Sequence, residues 1–379
     1  MNSSTSAKPK VAVAMSGGVD SSVAAALLVE RGFDVIGITL DTWPDQLGEP
    51  GDKNCCSPQG RDDAKRVAEI LGIPYSVVDY KDLFAHSVIR NFADSYFDGL
   101  TPNPCINCNR FVKFGALERS GREAGAEALA TGHYARSDGN GPDGRRRLLR
   151  GRDQTKDQSY VLYGLDQAQL QRAMFPLGDL TKTDVRARAS ELGLPVADKP
   201  ESMDICFVAG DYRSFARTWA NRTGRPGPIY DANDKLLGTH SGIENYTVGQ
   251  RRGLGIALGG PVYVSRIDVE RNSITVGPRD SLSQNEFEVE DVNLVSLERV
   301  TPNTRARVKV RSRMSELPAT LFPNSQGGLS VVTDEPAWAV APGQAAVFYD
   351  GDVVLAGGRV ARSAQSPKGE PSVPSFAFA

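Results

Sequence analysis

Seven residues near the start of the chain, Ser16-Gly17-Gly18-Val19-Asp20-Ser21-Ser22, have the types and spacing of an anion site. They follow the apolar run Val11-Ala12-Val13-Ala14-Met15, which reads as a buried parallel strand, and precede an Ala/Leu-rich helical pattern from Val23 to Val29. At a strand–turn–helix junction, glycines let backbone N–H groups approach a phosphate, and the first-turn donors and helix dipole hold its charge. The hydroxyls of Ser16, Ser21 and Ser22 add donors. A carboxylate is out of place in a purely anionic pocket, so Asp20 implies a bound cation such as Mg²⁺. The pattern lacks the Lys of a Walker loop and the third glycine of a dinucleotide fingerprint.

A second group is built on sulfur. In Thr101-Pro102-Asn103-Pro104-Cys105-Ile106-Asn107-Cys108 two prolines predict an extended loop running into a helix. Cys108 is then expected at or near a helix N-terminus, where thiolate is favoured over thiol. Far along the chain, Glu201-Ser202-Met203-Asp204-Ile205-Cys206-Phe207 holds one more cysteine. A nucleophile with a distant second cysteine is the layout of a sulfur carrier with a resolving partner: one bears a persulfide and the pair ends as a disulfide. Cys105-x₂-Cys108 is also a metal spacing, and with Cys206 it offers three soft ligands for an iron–sulfur cluster. Both readings stay open at this level. The neighbours Cys55 and Cys56 cannot easily chelate one ion together, and are expected to pack or to sit in a loop.

The elements that must position these groups follow from periodicity. Val35–Leu40, Tyr75–Val78 and Glu127–Thr131 read as further buried strands. Arg61–Leu71, Leu83–Phe97, Phe111–Ala124 and Thr181–Leu192 read as helices, the last capped by Thr181. That alternation predicts a doubly wound α/β domain with its ligand at the C-terminal strand ends. Arg136–Arg150 reads as a hairpin. After Trp219 short β-like runs dominate, separated by Gly and Pro, which predicts a small linking module and then a β-barrel. The expected division is 1–210 for the nucleotide domain, 211–283 for the module, 284–365 for the barrel and 366–379 for a disordered tail. The Gly-rich run Gly249–Gly255 has no strand–helix frame and is expected to make turns.

Composition limits the classes. At 379 residues the chain is too long for one core, and 40% hydrophobic with 24% charged content describes an ordinary soluble protein. No apolar run approaches the roughly 20 residues of a membrane span. Met1–Lys10 has no signal core, so a loose leader and a cytoplasmic location are expected. The net charge of −2 argues against a nucleic-acid partner only on average. Arg145, Arg146, Arg147, Arg150 and Arg152 cluster, and Arg305, Arg307, Lys309, Arg311 and Arg313 alternate, so a strand there would carry its charges on one face. Like charges so placed repel unless an anion lies against them.

Taken with Thr131-Gly132-His133-Tyr134, Lys156-Asp157-Gln158-Ser159-Tyr160, Gly249–Gly255 and Ala341-Pro342-Gly343-Gln344, these motifs resemble the bacterial tRNA-specific 2-thiouridylase family. The matches run in order to about Arg362. That family belongs to the PP-loop ATP pyrophosphatase superfamily, whose members split ATP into AMP and pyrophosphate. The resemblance implies that Ala14, Met15, Ser16, Gly17, Gly18, Val19, Asp20, Ser21, Leu40 and Gly132 bind ATP, with Mg²⁺. It implies Cys108 as nucleophile and Cys206 as the persulfide-bearing cysteine, the two joining in a disulfide after turnover. Asn103, Pro104 and Cys105 would contact the target base, and His133, Lys156, Asp157, Gln158, Arg311, Ser312 and Gln344 would meet tRNA. Cys105 stands where the family often has Asp, and Ser312 where some relatives have an aromatic residue. The implied activity is ATP-dependent 2-thiolation of a wobble uridine in tRNA, fed by a cysteine desulfurase or a sulfur relay protein. The competing readings are an iron–sulfur-dependent tRNA thiolase, an adenylating ligase acting on a small metabolite, and an RNA-binding module without catalysis.

Overall fold

The computed structural model describes residues 8–44, 58–200, 205–208, 210–256 and 259–362. Cys55, Cys56, residues 201–204, most of the leader and the tail lie outside them. In chain order the first strands are β1 (Lys10–Ala14), β2 (Asp34–Asp41), β3 (Tyr75–Asp79) and β4 (Ala128–Ala130). A hairpin follows, β5 (Ala135–Asp138) and β6 (Arg147–Arg150), and then the short β7 (Ala173–Met174). β3-β2-β1-β4-β7 form one parallel sheet. The order reverses between β1 and β4, so their C-terminal ends are the topological switch point where such sheets bind ligands.

Apolar side chains on both faces of β1 explain its central place. Val11 and Val13 pack with the helix α1 (Val19–Glu30), whereas Ala12 faces Ile38, Leu117 and Leu129. The helix Lys182–Glu191 closes the first face through Val185 and Ala189, and Thr181 and Asp184 form a capping box at its start. A helical run covers 104–123 and starts earlier than Phe111. Asn103 caps it and Pro104 fills the first helical position, where a missing N–H costs nothing, so the proline read as loop opens the helix instead.

The hairpin β5–β6 is where expected but belongs to another sheet. The barrel strands are β12 (Ser283–Leu294), β13 (Thr304–Lys309), β14 (Leu317–Pro323), β15 (Leu329–Trp338), β16 (Ala345–Asp350) and β17 (Val353–Val360). They close antiparallel through a β12–β17 pairing, and β6 pairs with β17 from outside the ring. The nucleotide domain and the barrel consequently share a core, in which Leu148, Tyr160 and Leu162 pack with Val347, Tyr349 and Val354. β12 has no apolar run to betray it: Phe287 and Val289 point inward while Glu286, Glu288 and Glu290 alternate with them. Between the two lies a four-stranded sheet of β8 (Gly227–Tyr230), β9 (Leu236–His240), β10 (Tyr263–Asp268) and β11 (Ser273–Gly277). The run Gly249–Gly255 makes turns beside it, Gly249 N–H donating to Val264 O and the Gln250 side chain to Arg252 O.

Candidate active site

The loop at the switch point is held by its own polar atoms. Ser21 and Ser22 donate hydroxyl hydrogen bonds to Gly18 O (3.2 and 2.9 Å), and Ser16 N–H donates to Ser21 Oγ (3.1 Å). Gly18 is the N-cap of α1 without a side chain to fill the position, which leaves the first-turn donors facing the open end of the sheet. Two glycines are steric requirements. Gly17 has φ +68° and a Cβ there would enter the carbonyl of Gly60; a Cβ on Gly132 would lie 2.7 Å from Ser21 N. The expected ATP residues Ala14 to Ser21 and Gly132 are thus gathered at one point, with Leu40 at the end of neighbouring β2.

Asp20 is paired with side chains from two distant segments. Lys182 Nζ lies 2.7 and 2.8 Å from its two oxygens, and Tyr134 Oη donates to Oδ1 at 2.7 Å. Among the described residues no three His, Cys, Asp or Glu side chains are grouped to hold a metal ion. In this structure Asp20 holds an ammonium. A second lysine, Lys199, donates to Gly17 O (2.9 Å) and pairs with Asp63 (2.6 Å). Lys182, Lys199 and Tyr134 were not legible as site residues, because each reaches the loop from a distant segment. The capped start of the helix after Thr181 was the one local hint.

The two key cysteines pack against one aromatic cluster. Phe84, Phe92, Tyr96 and Phe207 form a buried cluster, with Phe92 edge-on to Phe207 at 5.3 Å between centroids. Cys108, Cys206 and Leu40 all pack against it. The nucleotide side and the sulfur side thus share one wall. Cys108 is half-buried and lies one turn inside the helical run, where the backbone widens to π-helical spacing over Cys108–Leu117. It sits deeper than the N-terminus expected for it; Cys105 takes the first turn, exposed, its N–H capped by Asn103 Oδ1. Cys206 occupies a turn closed by Val208 N–H on Ile205 O. Cys105, Cys108 and Cys206 are thiols and are not gathered as a ligand cluster among the described residues. No disulfide joins Cys108 and Cys206 in this structure.

Several side chains expected to meet tRNA are turned inward. His133 is 7% exposed between Phe114 and Phe175, which holds its pKa well below the usual histidine value, with Lys113 pushing the same way. Lys113 can only donate to Nε2 (3.4 Å), so Nδ1–H donates to Thr131 Oγ1 (2.7 Å). In this structure the imidazole is therefore neutral and buried. Asp157 accepts from Gly151 N–H, Ser159 N–H and Ser159 Oγ, and Gln158 Oε1 accepts from Tyr134 N–H, two bonds away from Asp20. Arg311 donates to Val248 O and Ala339 O and lies 5.4 Å over the Trp338 ring. Lys156 is half-buried and Ser312 is exposed. On β13, Arg305, Arg307 and Lys309 do share a face, but the anions against them are the protein's own: Asp334 pairs with Arg305 (2.7 Å) and Glu316 with Arg307 (3.1 Å).

A parallel sheet with a glycine–serine loop at its switch point defines a nucleotide-binding enzyme of the HUP class, and residues 9–210 match the model described as tRNA methyl transferase HUP domain. Residues 220–278 match a tRNA methyl transferase PRC-barrel domain, and 284–360 an aminomethyltransferase beta-barrel domain. The chain is 49% identical over 355 residues to the tRNA-specific 2-thiouridylase MnmA of Moorella thermoacetica, covering 93% of this chain and 99% of that one. It is 47% identical to the Acetivibrio thermocellus protein of the same name, over 93% and 99% of the two chains. Among solved structures it resembles an NMN synthetase from Francisella tularensis (TM-score 0.31, 17% identity, 57% of this chain and 84% of that one). A 4-thiouridine synthetase–RNA complex with bound ATP gives TM-score 0.31 at 15% identity, over 56% and 50% of the chains. The chain belongs to the tRNA-specific 2-thiouridylase family.

Proposed function

We propose that this protein uses ATP to replace the C2 oxygen of a wobble uridine in tRNA with sulfur. The observation that carries the reading is the shared wall: Cys108 and Cys206, distant in sequence, pack on the aromatic cluster that Leu40 of the nucleotide side also touches. A base drawn out of a single-stranded anticodon loop can then face the phosphate loop and the sulfur in turn. The C2 oxygen attacks the α-phosphorus of ATP and pyrophosphate leaves. Lys182 and Lys199, with the N–H groups at the start of α1, stabilise the charge that develops on phosphate. Mg²⁺, when bound with ATP, would supply positive charge on the phosphates. A persulfide on Cys206 attacks C2 through its terminal sulfur and AMP departs with the old oxygen. Cys108 thiolate then attacks Cys206 Sγ, which frees the thiocarbonyl of the product and leaves a Cys108–Cys206 disulfide for an external thiol to reduce. The apolar wall keeps water from the adenylate and the persulfide during these steps. Asn103, Pro104 and Cys105, at the start of the same helical run, meet the base in this reading, and a cytosolic persulfide donor reloads Cys206. The division at about 210 and 284 separates the nucleotide domain, the module and the RNA-facing barrel.

The test is to mix the protein with ATP and tRNA, measure pyrophosphate release, and then add a persulfide donor and look for 2-thiouridine by nucleoside mass spectrometry. Pyrophosphate release that needs tRNA, followed by 2-thiouridine, is expected. Release that proceeds without RNA would point to a small-metabolite ligase and overturn the assignment.

A further inference from the structure

We propose that the central module positions Cys206, through a latch that Glu244 and Asn245 make on the helix following that cysteine. The proposal rests on Cys206 being the sulfur-carrying cysteine. The helix Tyr212–Ala220 begins shortly after the Cys206 turn and has two working sides. Tyr212, Phe215, Ala216 and Trp219, at spacings of three and four, join the aromatic cluster. Arg213 and Arg217, one turn apart, reach the module instead. The Phe215 and Phe207 ring centroids are 5.4 Å apart, and Phe207 is the residue next to Cys206. A shift of the helix is therefore passed through packed rings to the turn that holds Cys206.

The latch is built around a buried charge. Arg213 Nε donates to Asn245 O (3.1 Å), and Arg217 Nη1 donates to Asn245 Oδ1 (2.9 Å). The same Arg217 nitrogen faces Glu244 Oε1 at 3.6 Å, and the Glu244 side chain has no exposed surface. Asn245 Nδ2 donates to Glu244 Oε1 (3.2 Å) and to Gly242 O (3.1 Å). Glu244 Oε2 accepts no hydrogen bond among the described residues. Gly224 and Gly242 close over this carboxylate so tightly that a Cβ on either would enter it. A carboxylate buried in this way is costly unless a cation answers it, and Arg217 is the cation that does. The module's own core, with Ile229, Ile243, Tyr246 and Val264, is apolar, so the ion pair serves the junction with the helix. A small loss of alignment at a reacting group far from the altered contact can cost a large factor in rate.

The experiment uses the full-length protein and three variants: Arg217→Met, Arg217→Met combined with Glu244→Gln, and Arg217→Lys. The first breaks the latch and strands a buried charge, the second breaks it without one, and the third keeps a cation for Glu244. Four quantities are read. Peptide mass spectrometry gives the iodoacetamide alkylation rates of Cys206 and Cys108 in RNA-free protein, and assays give kcat for thiolation and for tRNA-dependent pyrophosphate release. In the single and double Met variants we expect Cys206 to alkylate about fivefold faster and thiolation kcat to fall about tenfold, while Cys108 alkylation and pyrophosphate release stay within about twofold. Arg217→Lys should hold all four within about threefold of wild type. An unchanged Cys206 rate in the double variant overturns the proposal, even where Arg217→Met alone is altered, because the stranded charge then explains the effect. Equal acceleration of both cysteines overturns it too, since that is a general loosening of the fold. Melting curves show that the reactivity is that of folded protein, and where Arg217→Met does not fold the double variant decides. If wild-type protein thiolated no tRNA, the functional reading would fail while the alkylation rates still decided the positioning role.

Discussion

The phosphate loop and the cysteine wall solve the same problem, holding reactive groups in place, by opposite means. The loop is local: its serines, glycines and first helical turn lie within seven residues, and their hydrogen bonds close on one another. The wall is assembled from residues 40, 84–97, 108 and 205–219, and its rings meet edge-on without a polar bond between them. A site made of backbone donors can be rigid from the start, because fixing a few residues fixes it. A site made largely of apolar contacts between distant segments is held mainly by burial.

If that contrast is right, changes on the two sides separate the two half-reactions. Cys206→Ser and Cys108→Ser should each abolish 2-thiouridine formation while tRNA-dependent pyrophosphate release continues, because activation draws on the loop alone. Parallel assays of both products check this, and loss of pyrophosphate release in either variant would break the comparison. On the loop side, Lys182→Met and Asp20→Asn should each slow pyrophosphate release by about 10- to 100-fold, since the first removes the ammonium and the second the carboxylate that positions it. The Mg²⁺ concentration needed for half-maximal rate should stay unchanged in Asp20→Asn. A marked rise in it would instead make the carboxylate a metal ligand.

The wall should report through stability. Phe92 is fully buried against Tyr96, Phe207 and Phe215, so Phe92→Ala should cost about 3–5 kcal/mol in urea unfolding. A cost below about 1 kcal/mol would mean the cluster is not a packed core. The smallest effect concerns His133, whose imidazole is kept neutral by burial. Its folded pKa lies below the ordinary 6.5, so its contribution to stability is present above that pH and lost as pH falls through it. Unfolding free energy should drop below pH 6.5 by up to about 1.4 kcal/mol per pH unit from this group, and His133→Gln should flatten that slope. An unaltered slope in the variant would show that other groups cause it.

Comparison of Arg307 with Cys108 shows what was readable. The alternation around Arg307 gave its strand and the face it occupies, yet not Glu316, which answers its charge from a neighbouring turn. Cys108 was recognisable from its neighbours, yet its depth in the helix depended on Pro104 acting as the opening residue rather than as a breaker. In both cases the type of residue and the local period were visible, and the partner was not.

By itself the sequence determined the strand–loop–helix at Ser16–Ser22, the alternation that makes the parallel sheet, and the cysteines that could carry sulfur. These follow from backbone sterics and from apolar periods of two and 3.6 residues, which act over a few neighbours. Tertiary structure alone decided that Lys182 neutralises Asp20, that Cys206 comes to the wall of Cys108, and that Gln344 reaches Thr101. Those contacts span 243 residues in the last case and carry no periodic signal, since they form only when the burial of separate apolar faces brings whole elements together.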